Sequence, residues 1–269
     1  MNLPPFWIRE KRPMGRCDGK PSRVSGTSFE SMAAAREAME QMADLLRRCY
    51  ERGDFRPMAE LRETYAAVYE VTEERWDEQN IVTRNRSGAL VLNTTDVCFI
   101  DVDRVRGGFL NVLASLFGRG KTDEEILLER VRALCAADES LGFRVYRTAK
   151  GFRVIAAGKG VYLGSDRMME LFETLDADPL YTKLCEKQDC WRARLTPKPS
   201  RIGVKSCPLC MDSESAPAVI AAWRPAYDEA AAGYCVCRLR ETVGRAINHP
   251  TVVRHDELTG ARTAGKKLA

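Results

Sequence analysis

Only two histidines occur in the 269 residues, His249 and His255, both near the C-terminus. That scarcity excludes mechanisms built on several imidazoles, such as a His-rich zinc hydrolase or a facial triad with two central histidines. A Ser-His-Asp triad has no nucleophile elbow to support it. No apolar run approaches the ~20 residues of a membrane helix. The opening Met1-Asn2-Leu3-Pro4-Pro5-Phe6-Trp7 lacks the basic start and apolar core of a secretory signal, so the expected location is the cytoplasm. There is no internal repeat. Neither charge sign dominates: 42 Lys and Arg stand against 38 Asp and Glu, a formal net charge of +4. A surplus that small does not announce a nucleic-acid binder; the placement of the charge matters more.

What is present is the composition of a globular protein, 45% hydrophobic and 30% charged. The length allows one large domain, or one with an appendage. Ten cysteines are expected as thiols or metal ligands in a reducing compartment. Residues 1–27, rich in Pro, Gly and Arg, read as an extended arm in which Phe6, Trp7 and Ile8 can dock on the main body. Met32, Ala35, Met39, Met42, Leu45, Leu46 and Cys49 recur at helical spacing over 28–52. A second helix is expected over 57–79. Strands follow at 81–83, 89–92 and 97–103. A helix begins at Thr122, with Glu125 in capping-box position, and runs to about residue 137. Two strands at 143–147 and 152–156 are joined by the turn Thr148-Ala149-Lys150-Gly151. Helices are expected over 166–174 and 179–187, a strand over 191–195, and helices around 217–231 and 234–246. Without strict βα alternation the class is α+β.

Three segments can carry chemistry. Ile100-Asp101-Val102-Asp103 closes an apolar strand, and side chains at i and i+2 of a strand share a face. Two carboxylates held side by side repel, and Mg²⁺ or Mn²⁺ relieves the repulsion. The plain alternative is that Asp103 starts a loop and Asp101 pairs with an arginine. The second segment is the hairpin 146–153, which gathers Arg147, Lys150 and Arg153 around a glycine turn able to approach a phosphate closely. The third is the stretch 183–205, where seven cations face only Glu186 and Asp189. There Arg192 and Arg194 alternate beside Trp191, a pattern suited to a phosphate backbone or a nucleotide; a solvated charged strand is the alternative.

In this order the segments resemble the archaeo-eukaryotic primase superfamily over residues 80–200. The family carries a strand ending in Asp-x-Asp, then a strand with a small-x-His motif, then a third acid. Asp101 and Asp103 look like the first, and Asp178 stands where the third is expected. Leu195-Thr196-Pro197-Lys198-Pro199 is similar to the basic end that follows it in some relatives. The whole chain also looks like one bacterial protein group. The resemblance implies a primase-like core with a mixed sheet at 80–200, an arm and helices at 1–79 and a helical region at 201–269. It implies metal-dependent nucleotidyl transfer, with Asp101, Asp103 and Asp178 holding Mg²⁺ or Mn²⁺. Arg147, Lys150, Arg153, Arg192, Arg194 and Lys198 would hold nucleotide or nucleic-acid phosphates. The chain departs from the pattern at Arg153, which stands where the family has its nucleotide-contacting histidine. Arginine can still bind phosphate, so a non-catalytic module that binds nucleic acid or a nucleotide is the alternative. A third reading uses Asp-x-Asp to hold a nucleotide-sugar, as glycosyltransferases do.

Cys185-x4-Cys190 and Cys207-x2-Cys210, 16 residues apart, approximate a paired-cysteine zinc pattern, with Cys235-x-Cys237 able to replace one pair. Buried small hydrophobes are the alternative. His255-Asp256-Glu257 reads as surface decoration.

Overall fold

A computed structural model describes residues 1–15, 20–56, 69–106, 120–208 and 212–269. Within them the protein is α+β, with six α-helices and twelve strands. Two four-stranded antiparallel sheets form its centre. The first has the order β11-β7-β8-β6, built from β6 (Cys98–Val102), β7 (Gly142–Thr148), β8 (Phe152–Ala157) and β11 (Cys237–Gly244). The second has the order β3-β4-β5-β9, from β3 (Val71–Arg75), β4 (Asn80–Arg84), β5 (Leu90–Thr94) and β9 (Trp191–Arg194). No described helix is long and apolar enough to cross a membrane.

The central strands follow from their side chains. Cys98, Phe99 and Ile100 are all buried, so both faces of β6 are covered. Such a strand reads as a continuous apolar run, interrupted only by Asp101. Helix α2 (Asp123–Ala137) starts where the sequence places it: Thr122 and Glu125 cap it reciprocally. Helices α3 (Asp166–Thr174) and α4 (Pro179–Gln188) begin at Ser165 and Asp178, whose side chains accept from the first-turn amides. The main core joins β6, β7 and β8 to Leu127 and Val131 of α2, Leu171 and Phe172 of α3, and Trp191 of β9.

Three sequence expectations change. The arm at 1–27 contains an antiparallel pair, β1 (Phe6–Arg12) with β2 (Ser22–Ser28), under α1 (Met32–Arg52). Trp7 is fully buried, its Nε1 donating to the Glu70 carbonyl at 3.0 Å. Gly26 lets this pair touch the helix: a Cβ there would lie 2.1 Å from the Ala35 carbonyl oxygen. The helix expected over 57–79 falls mostly on 57–68, outside the described residues, and its end is strand β3, paired with β4. The helix expected over 234–246 is strand. Tyr234–Cys235 form β10, which pairs in parallel with β12 (Lys267–Leu268). Cys237–Gly244 form β11 at the edge beside β7. Half-buried Leu239, Glu241 and Val243 alternate there with exposed Arg240, Thr242 and Gly244. That period of two belongs to an edge strand. Helix α5 (Ala216–Ala231) precedes β10, and α6 (Pro250–Thr259) follows β11. Strand β11 thus completes the sheet of the 80–200 segment from within 201–269.

Candidate functional site

Antiparallel pairing of β6 with β8 sets Asp101 directly opposite Arg153. The Arg153 guanidinium is buried, 1% exposed, while the Asp101 side chain remains 38% exposed. Arg153 Nε donates to Asp101 Oδ1 at 3.2 Å. Its Nη1 donates to the Arg194 carbonyl at 2.9 Å, tying the first sheet to β9 of the second. The same Nη1 lies 3.2 Å from His255 Nε2. Burial works against the Arg153 charge, but Asp101 facing it raises the guanidinium pKa.

Strand β6 ends at Val102, so Asp103 is exposed just past it. The β7–β8 turn lies directly against this point. A Cβ on Gly151 would sit 2.2 Å from the Val102 carbonyl oxygen and 2.8 Å from Asp103 Cα. Glycine therefore permits the approach, and the turn closes through Thr148 N to Gly151 O at 2.9 Å. Asp178 comes to the same place from α4, its amide donating to the Asp101 carbonyl at 2.8 Å. Asp103, Lys150 and Asp178 line one cavity of 580 Å³, with Arg104, Arg106 and Asp176. Gly151→Ala is expected to cost about 1–2 kcal/mol, because a methyl against backbone forces the hairpin outward. Urea denaturation checks this; an unchanged midpoint would show that the turn is not seated on Asp103.

The three acids thus share one end of β6, but their carboxylates are differently employed. Asp101 already faces a guanidinium. Asp178 Oδ1 caps α4, accepting from Leu180 N at 3.0 Å. Among the described residues no three His, Cys, Asp or Glu side chains are placed to share a metal ion. One carboxylate oxygen each of Asp101 and Asp178 is thus committed to Arg153 and to the helix cap.

The cations are arranged otherwise. Leu195 N donates to the Leu90 carbonyl, Thr196 Oγ1 accepts from Leu90 N, and Tyr227 Oη donates to the Pro197 carbonyl. Pro199 then opens a short 3₁₀ turn, Pro199–Arg201. This pinned segment carries Arg194, Lys198 and Arg201. Nε and Nη1 of Arg194 and Nη1 of Arg201 are buried with no hydrogen-bond acceptor among the described residues. Burial pushes the Arg194 guanidinium down to about 10, and the charges of Arg153 and Arg201 act the same way. Burial also lowers Lys198, with Arg194, Arg201 and Lys150 adding to it and Asp103 opposing. Buried donors without acceptors are rare in folded proteins. An anion with multiple oxygens is the chemical class that can satisfy several such donors at once.

Two other expected phosphate ligands have partners within the fold. Arg192 holds both Glu70 carboxylate oxygens at 2.7 Å and Gln188 Oε1 at 2.7 Å. Arg147 lies over the Phe152 ring, 4.6 Å from its centroid. Of the four cysteines in the expected zinc pattern, three lie among the described residues. Cys185 and Cys190 are buried close together, their thiols pushed up by burial to about 12 and about 11. Cys207 belongs to a separate cluster with Trp7, Ala216 and Ile220. Cys210 lies outside the described residues.

Sequence reasoning missed His255, which is fully buried beneath the site rather than on the surface. Its Nδ1 is 3.1 Å from Asp256 Oδ1. Asp256 also accepts from Tyr146 Oη at 2.7 Å and Arg144 Nη1 at 3.0 Å. A usable signal existed: Val252, His255 and Thr259 share one face of a helix that Pro250 begins. No protein-family model, no curated protein and no solved structure matches the chain. Function is therefore read from the chemistry of the site.

Proposed function

We propose that this protein binds the phosphate groups of a nucleotide, as a non-catalytic module with the site layout of a primase-polymerase core. The observation that carries the reading is the buried, acceptor-less guanidinium of Arg194 beside Arg201 and Lys198. The charges of Lys150 and Asp103, which line a cavity of 580 Å³, are felt at Lys198, and that volume suits a small ligand. The cations without acceptors among the described residues lie at the end of β9 and in the turn that follows it, instead of tracking along a groove. A compact polyphosphate matches that geometry better than an extended nucleic-acid strand. Nucleotidyl transfer is not part of the proposal, because Asp101 is neutralised by Arg153 and Asp178 caps a helix. The nucleotide-sugar reading loses support as well: both central sheets are antiparallel, whereas that fold needs parallel α/β halves.

Calorimetric titration with a nucleoside triphosphate and with inorganic triphosphate tests the reading. Both are expected to bind. Arg194→Met is expected to weaken each by about 10–100-fold, the value of one charge-assisted hydrogen bond at about 1.5–3 kcal/mol. No binding by the wild type, or equal binding by a folded Arg194→Met variant, overturns it.

A further inference from the structure

We infer that His255 is a positioning residue for this site: as the neutral Nδ1–H tautomer, clamped by Asp256, it accepts from Arg153 and holds that guanidinium between Asp101 and the backbone of Arg194. The inference rests on the phosphate-binding reading for its effect on affinity, but not for its geometry.

The tautomer follows from the partners. Arg153 Nη1 can only donate, so the Nε2 facing it at 3.2 Å must present its lone pair. The ring proton then sits on Nδ1, 3.1 Å from Asp256 Oδ1, which accepts it. Burial alone would raise the Asp256 carboxyl. Hydrogen bonds from His255 and Tyr146, with the Arg144 charge, hold it below the ordinary carboxylate range. Two aromatic rings also pack against the imidazole, Phe99 tilted at 5.1 Å and Tyr146 edge-on in a T-shaped arrangement at 5.4 Å between centroids. Charged and titratable groups reach His255 from every element around it. Asp101 comes from β6, Arg144 and Tyr146 from β7, Arg153 from β8, and Asp256 from α6; Cys237 of β11 lies beside Arg153.

The consequence falls on the anion site. Arg153 Nη1 spends its two hydrogens on His255 Nε2 and the Arg194 carbonyl. The latter fixes the end of β9 from which the free Arg194 guanidinium projects. Without the imidazole lone pair, one hydrogen of a buried cation has no acceptor, and Arg153 is free to turn toward another. The Arg194 side chain then loses its preset position, and an ordering cost falls on ligand binding.

Two measurements test this. Long-range ¹H–¹⁵N spectra of the wild type at pH 7 are expected to show His255 with a pyridine-like Nε2 and a protonated Nδ1; the opposite tautomer overturns the inference. Calorimetric titration with inorganic triphosphate then compares variants. His255→Gln can accept from Arg153 and donate to Asp256, and is expected to keep affinity within about twofold. His255→Leu supplies neither group and is expected to lose about tenfold. A purely structural role would lower melting temperature in both without separating their affinities. Wild-type affinity in a folded His255→Leu variant, or a tenfold loss in His255→Gln, overturns the inference, and the second applies even if the leucine variant fails to fold. If the wild type binds no triphosphate, the phosphate-binding reading fails, while the tautomer still decides the positioning geometry.

Discussion

Asp256→Ala is expected to destabilise the protein by about 3–5 kcal/mol, the range for breaking one partner out of a buried charged pair. The Asp256 side chain is 6% exposed and satisfies four donors. Oδ1 accepts from Tyr146 Oη and His255 Nδ1, and Oδ2 accepts from Arg144 Nη1 at 3.0 Å and Arg262 Nε at 3.3 Å. Arg144 is the costly one. Its Nη2 donates to the Ile247 carbonyl, and its Nε already lacks a partner. Alanine would leave that cation buried and uncompensated, with the Tyr146 hydroxyl stranded beside it. Against a total stability of about 5–15 kcal/mol, the loss threatens folding at ambient temperature. Asp256→Asn keeps an acceptor and the volume but removes the charge, and is expected to cost about 1–3 kcal/mol. Equilibrium urea denaturation of both variants gives the test. A loss under about 1 kcal/mol for Asp256→Ala would mean that this network does not support the sheet.

Legibility in the sequence followed the range of the interaction. Strands β6, β7, β8 and β9 and the start of α2 were readable because each depends on neighbours within a few residues. The Thr122–Glu125 capping box and the Thr148–Gly151 turn are local chemistry. The facing of Asp101 and Arg153 is not local: 52 residues separate them, with helix α2 between their strands. Which arginines stay free was not readable either. Arg192 and Arg194 look equivalent in Trp191-Arg192-Ala193-Arg194, yet Glu70, 122 residues away, claims the first and leaves the second. His255 meets Arg153 across 102 residues. Strand β11 was missed because its identity comes from β7, to which it is paired through a bulge between Leu239 and Glu241. Cysteine spacing is silent on the same point: Cys185 and Cys207 enter different hydrophobic clusters, and no spacing rule records which core a residue joins.

Acid is expected to weaken the fold well above the usual carboxylate range, through His255. Burial pushes this imidazole down to about 4, the Arg153 charge acting the same way, against the Asp256 hydrogen bond and the charges of Asp256 and Asp101. In the unfolded chain an imidazole titrates near 6.5. Between those values the unfolded state binds a proton that the native state refuses. Stability is therefore fully present above about pH 6.5 and falls as pH is lowered toward 4, by up to about 1.4 kcal/mol per pH unit. The loss accumulates to about 2 kcal/mol by pH 5 and about 3 kcal/mol by pH 4. Asp256, whose carboxyl is held low, adds a loss of the same sign, but only as pH falls past the ordinary carboxylate value near 4. The interval from pH 6.5 to 5 thus isolates the histidine. The physical event is the arrival of a second cation 3.2 Å from Arg153, offset by the charges of Asp101 and Asp256. Urea denaturation at pH 7, 6 and 5 measures the slope in the wild type and in His255→Gln, whose amide does not titrate. The variant is expected to start from a lower or equal stability at pH 7 and to lose almost none of it by pH 5. Equal slopes in the two proteins would show that His255 takes up its proton in the folded state as readily as in the unfolded one, and that the imidazole is not held neutral against Arg153.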